Sequence, residues 1–97
     1  MELIDDIKSI DVAELFKIFG DSTRIKIMNA LIDEELCVSE IVNKIDVSQS
    51  AVSHQLRILK SAKLVKYRKD GNMMYYSVDD EHVKKIFMLG CEHIDEL

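Results

Sequence analysis

Two runs of strand-forming residues, Leu64-Val65-Lys66-Tyr67-Arg68 and Met73-Met74-Tyr75-Tyr76-Ser77-Val78, flank Lys69-Asp70-Gly71-Asn72 in this 97-residue chain. Asp-Gly between such runs specifies a β-hairpin, because the turn needs residues that accept positive φ. The remaining segments carry helical periodicity, so the fold is constrained to a helical domain with one β-ribbon.

Apolar residues at Ile4, Ile7, Ile10, Leu15, Ile18 and Phe19 predict a first helix over 4–19, broken near Ser9 to Asp11 and ended by Gly20. Asp21 or Ser22 caps a second helix through Leu31, with Ile25, Met28 and Leu31 inward, and the acidic run Asp33-Glu34-Glu35 reads as a turn. Ser39 to Ile45 is a short third helix. After a tight break at Asp46-Val47, Ser48 caps a fourth from Gln49 to about Lys63, whose apolar stripe is Val52, Leu56 and Leu59. Two short helices joined by a tight turn form a helix-turn-helix, and the ribbon that follows is a wing. A fifth helix spans Asp80 to about Glu96, with Asp79 as its N-cap and Val83, Ile86, Phe87 and Leu89 apolar. The predicted fold is mainly α with a β-hairpin wing, a winged helix-turn-helix.

There are no prolines, three glycines (Gly20, Gly71, Gly90), no repeat and no low-complexity run, so residues 1–97 are expected to form a single domain. A domain this small gains stability from dimerisation. The opening MELIDDIKSIDVAELF mixes acids among its apolar residues, unlike a secretory signal, and no apolar run approaches membrane-spanning length. A cytoplasmic location is expected, with Cys37 and Cys91 as reduced thiols.

The net charge of −5 argues against a nucleic-acid partner until its distribution is considered. From Val47 to Lys69 there is no acidic residue, while Arg57, Lys60, Lys63, Lys66, Arg68 and Lys69 supply six positive charges. The rest of the chain carries 7 basic and 18 acidic residues. Such asymmetry marks a face adapted to a polyanion. In a helix-turn-helix, the N-terminal turn of the second helix reaches base edges in the major groove. Gln49, Ser50, Ser53 and His54 are the candidates for that role. Arg57, Lys60, Arg68 and Lys69 are expected on phosphates, and Asn72 at the backbone or minor groove. The expected partner is double-stranded DNA.

The fifth helix carries a second constellation. Asp80, His82, His93 and Glu96 are metal-ligand types arranged as D-x-H, then ten residues, then H-x-x-E. At a rise of roughly 1.5 Å per residue the two histidines lie about 16 Å apart, whereas zinc–nitrogen bonds are about 2 Å long. One helix cannot close that shell. Two antiparallel copies can: pairing Asp80 with Glu96 and His82 with His93 places the two-fold axis near Phe87 and Met88 in both cases, giving two equivalent sites per dimer. Asp80 and His82 are two residues apart, which a regular helix would not align, so the capping region must depart from helical geometry.

Three segments resemble the ArsR/SmtB family of metal-responsive winged-helix repressors: Phe19-Gly20-Asp21-Ser22-Thr23-Arg24-Ile25-Lys26-Ile27-Met28, Glu35-Leu36-Cys37-Val38-Ser39-Glu40-Ile41, and Ser48-Gln49-Ser50-Ala51-Val52-Ser53-His54-Gln55-Leu56. The resemblance extends over essentially the whole chain, and the third segment is the most specific. It implies a homodimer built from the first and last helices that binds operator DNA without metal and releases it when metal binds. The set Asp80, His82, His93 and Glu96 matches that of the family's zinc sensors. The resemblance also implies that a histidine of this set bonds a backbone carbonyl near Lys63. A second family site, a Cys-Val-Cys motif for soft ions, is incomplete here, since Cys37-Val38-Ser39 keeps one thiol and Met1 to Ile10 holds no Cys or His.

Zinc is the expected regulatory ligand, and cobalt or nickel suit the same donors. Rival readings are a redox-responsive repressor using Cys37 and Cys91, or a metal-binding interaction module with no operator, which would leave the basic segment unexplained. An enzyme is not expected: there is no H-E-x-x-H, nucleophile elbow or glycine-rich phosphate loop, and no small-molecule substrate is implied.

Overall fold

The computed structural model describes all of residues 1–97. Its elements are α1 (Asp6–Phe19), α2 (Ser22–Leu31), α3 (Val38–Ile45), α4 (Gln49–Ser61), β1 (Val65–Asp70), β2 (Met73–Val78) and α5 (Glu81–Asp95). This is the expected order for a winged helix-turn-helix.

Several local details differ from the sequence expectation. Helix α1 is continuous and starts after Ile4, because Asp5 caps it by accepting the Lys8 N–H at 2.7 Å. Ser9 donates its hydroxyl back to the Asp5 carbonyl at 3.0 Å, so it supports the helix where a break was expected. In α2 the cap is Asp21, and the fully inward positions are Ile27, Met28 and Leu31, with Ile25 only half-buried. Helix α3 begins one residue early, with Glu40 accepting the Cys37 N–H at 3.0 Å. Helix α5 is capped by Asp80, not Asp79: the Asp79 N–H is taken by the Leu64 carbonyl at 3.0 Å, and Asp80 accepts from Val83.

The helix-turn-helix break comes from Asp46, which takes the left-handed conformation at φ 53 while its N–H closes on the Val42 carbonyl. In the hairpin the antiparallel register runs from Val65↔Val78 to Asp70↔Met73. The loop is therefore Gly71-Asn72, with Asp70 in the ladder rather than in the turn. Gly71 alone has positive φ, 63, the glycine-first arrangement of a type II′ turn. Leu36 exchanges two backbone hydrogen bonds with Tyr76, 3.0 and 2.7 Å, which ties the α2–α3 connection to the wing.

The core gathers Ile27, Met28 and Leu31 of α2, Leu36 of the α2–α3 connection, Ile41, Val52, Leu56 and Leu59 of the helix-turn-helix, Leu64 and Val65 at the start of the wing, and Val83 and Phe87 of α5. Each such side chain is worth about 1.5–3 kcal/mol on burial. Helix α1 buries none of its residues, and Ile7, Ile10 and Phe16 are exposed, as are Met88, Leu89 and Ile94 of α5. Such apolar exposure on two helices marks a surface that a further protein chain can cover. No helix is long and apolar enough to cross a membrane.

Candidate nucleic-acid interface and ligand cluster

Ser48 adopts an extended backbone and accepts the Ala51 N–H on its hydroxyl at 3.2 Å, which starts α4 at Gln49. Burying Val52, Leu56 and Leu59 turns Gln49, Ser50, His54, Arg57 and Lys60 to the exposed side, while Ser53 lies half-buried at the margin. The first turn of α4 holds no acidic residue, so the positive end of its dipole is not neutralised by its own side chains. Small polar side chains around a helix N-terminus can approach base edges closely, and the cations a turn later can reach phosphates.

Lys60 places its Nζ 4.2 Å from the centre of the Tyr67 ring, linking α4 to β1. On the wing, Lys69 and Asn72 are exposed, and their side chains make no hydrogen bond or ion pair within the chain. Arg68 differs. Its Nε and Nη2 both lie 2.8 Å from Glu35 Oε1, and its guanidinium sits 4.9 Å from the centre of the Tyr75 ring. Asp70 is 3.9 Å away, and the Glu35 bond raises the Arg68 pKa further above its ordinary value. Arg68 thus straps the wing to the α2–α3 connection, and any phosphate it contacts must share it with Glu35.

At the start of α5, His82 Nδ1 lies 3.6 Å from Asp80 Oδ1, with the imidazole almost fully exposed. Asp80 has an extended backbone, φ −151 and ψ 176, and so lies outside the helical progression. Its Oδ1 accepts the Val83 N–H at 3.0 Å, and that bond, followed by the neighbouring His82, holds the carboxyl below its ordinary pKa. His93 closes the other end of α5, Glu96 is its C-cap, and both are exposed. No three His, Cys, Asp or Glu side chains within one chain are grouped to hold an ion. The pairs Asp80–His82 and His93–Glu96 therefore stand at opposite ends of one helix, and a single chain does not bring them together. The cysteines lie apart from this set: Cys37 is buried at the start of α3, Cys91 is exposed on α5, and both are free.

Residues 21–67 match the model of the family described as bacterial regulatory protein, arsR family. A transcriptional repressor SmtB homolog of Synechocystis sp. is 46% identical over 88% of this chain, which spans 64% of that protein. A cadmium resistance transcriptional regulatory protein CadC homolog of Staphylococcus aureus is 49% identical over 91% of this chain and 74% of its own length. Among solved structures, a homodimeric winged helix-turn-helix DNA-binding domain from Mycobacterium bovis superposes with a TM-score of 0.85 at 29% identity, covering 99% of this chain and 92% of that one.

Proposed function

The chain belongs to the arsR family of bacterial regulatory proteins, and from that premise we propose that it is a cytoplasmic transcriptional repressor that binds operator DNA as a homodimer and releases it on binding zinc or a similar divalent ion. Residues 1–97 act as one DNA-binding and dimerisation domain. As in the rest of its family, the role is regulatory and not enzymatic. The observation that carries the reading is the division of α5 into two incomplete ligand pairs on a chain whose α4 presents Gln49, Ser50 and His54 outward beside a wing.

Set antiparallel against a second copy, Asp80 and His82 of one protomer would meet the partner's His93 and Glu96. Two imidazole nitrogens and two carboxylate oxygens would close a tetrahedral shell around zinc and leave no position for an activated water, and the same donors suit cobalt and nickel. A bound ion would supply attraction between the two helices. The exposed apolar residues of α1 and α5 provide the contact surface between protomers, and the relative placement of the two α4 helices is the state that ligand binding biases. Gln49, Ser50, Ser53 and His54 read bases; Arg57, Lys60, Lys69 and Asn72 hold the backbone, and Arg68 positions the wing while lending charge.

The test is anisotropy of labelled DNA from upstream of the chain's own gene, titrated with zinc, cobalt, nickel and cadmium. Zinc should weaken binding by about 5- to 150-fold, the usual range of allosteric coupling. His93→Gln should still dimerise and bind the DNA but respond to no metal. An affinity indifferent to zinc, cobalt and nickel, or a His93→Gln chain that responds like wild type, would sink the proposal.

A further inference from the structure

We infer that Arg24 is a positioning residue that fixes the recognition helix α4 against the end of α1, so that the spacing of two operator half-sites is read through one guanidinium. This rests on the reading of α4 as the DNA-reading helix and of α1 as part of the dimer surface.

Three hydrogen bonds converge on this residue, two of them on its guanidinium. The last carbonyls of a helix have no partner within it. The Gly20 N–H closes on Lys17, and the Ile18 carbonyl is taken by Arg24 Nε at 2.8 Å. Arg24 Nη1 then donates to Gln55 Oε1 on α4 at 3.0 Å. The backbone at Arg24 is held as well, since Asp21 accepts its N–H at 3.0 Å in the first turn of α2. Apart from the Arg68–Glu35 contact of the wing, this is the one side-chain to side-chain hydrogen bond that joins separate elements.

A guanidinium is planar, with its donors in a fixed fork, so two bonds in different directions define an orientation that a lysine ammonium would not. Gln55 is half-buried, between the buried Leu56 and the exposed His54 in sequence, and its amide oxygen is turned to Arg24. It therefore supports the base-reading residues rather than joining them. Helix α1 has no fully buried residue and packs on the core through the half-buried Leu15, Ile18 and Phe19 at its C-terminal end, so its direction relative to α4 depends on few contacts, and the Arg24 link is one that carries charge. The lever is long: α4 extends for about 20 Å, so a tilt of roughly 10° moves its far end by about 3 Å, close to the rise of one base pair.

The test uses the full-length wild-type chain and three variants, Arg24→Gln, Gln55→Leu and Gln55→Glu. Each is titrated on a duplex with two half-sites, selected from random DNA by the wild type, on the same duplex with one half-site scrambled, and on one with a base pair inserted between half-sites. Arg24→Gln and Gln55→Leu should lower the ratio of full-site to half-site affinity about tenfold, and should discriminate less than wild type against the insertion, while sedimentation still shows dimers. Gln55→Glu keeps an acceptor for the guanidinium and should keep the wild-type ratio. If full-site and half-site affinities fall together, or if Gln55→Leu keeps the wild-type ratio and spacing preference, Arg24 has no positioning role. A wild-type chain that binds no selected duplex overturns the operator reading itself, and this inference with it.

Discussion

Helix α4 ends in a Schellman motif with a lysine where glycine is usual. The Leu64 N–H bonds the Leu59 carbonyl at 2.9 Å, the Lys63 N–H bonds the Lys60 carbonyl at 3.0 Å, and Lys63 takes φ 60. Leu59 and Leu64 are both in the core, so the motif also closes an apolar contact between them. Packing thus holds residue 63 in a conformation that a Cβ resists by about 1–2 kcal/mol. Glycine removes that resistance but begins from a looser unfolded chain, which takes back about 0.4–1 kcal/mol. Comparing Lys63→Gly with Lys63→Ala cancels the lost charge, and the glycine variant should be the more stable by about 0.5–1 kcal/mol. Within a helix the order is reversed, with alanine ahead by about 1 kcal/mol. Thermal unfolding followed by circular dichroism should show the glycine variant melting about 2–8 °C higher. Protein concentration must be equal in the two samples, because dimerisation makes the midpoint concentration-dependent. Alanine melting level with or above glycine would refute the left-handed assignment at Lys63.

Two further outcomes are expected. The Cys37 N–H holds the Glu40 carboxyl below its ordinary value of 4.5; a carboxyl depressed in the folded state contributes stability that is present above the ordinary value and lost as pH falls through the lowered one. Glu40→Gln keeps a capping acceptor that does not titrate, so urea midpoints between about pH 5 and 3 should fall less steeply than in wild type, and equal slopes would contradict the bond. Asp80→Asn keeps the N-cap acceptor for Val83 and should leave folding and DNA binding intact while abolishing zinc-driven release; release at wild-type zinc concentrations would remove Asp80 from the ligand set.

The hairpin, the helix-turn-helix and the five helices are legible in the sequence because each has a local cause: a turn glycine, Ser48 as a cap, apolar residues at helical spacing. Sequence and structure part where a distant partner decides. Asp79 and Asp80 have the same local preference for a cap, and only the Leu64 carbonyl, taking the Asp79 N–H, assigns Asp79 to the hairpin and Asp80 to the helix. Arg68 counts as one more cation in a basic run, yet Glu35, which engages it from the α2–α3 connection, is far away in sequence. Arg24 and Gln55 stand inside segments that carry the family resemblance, but nothing in their spacing announces that they meet. That the proposed ligand pairs stand apart can be read from spacing, because helical rise alone separates His82 from His93.

Asp80 and His82 are separated by a single residue, and positions two apart on a regular helix point to different faces. The cap resolves the mismatch. Asp80 is extended rather than helical, so its side chain folds back over the first turn to within 3.6 Å of the imidazole. Both this approach and the Val83 bond use Oδ1, which leaves Oδ2 free to face another chain without opening the helix end. The same Val83 bond keeps the carboxyl ionised to lower pH than an ordinary aspartate. Capping therefore leaves room for the coordination proposed at this residue, and a carboxylate fixed by the start of its own helix would give up little freedom on binding an ion.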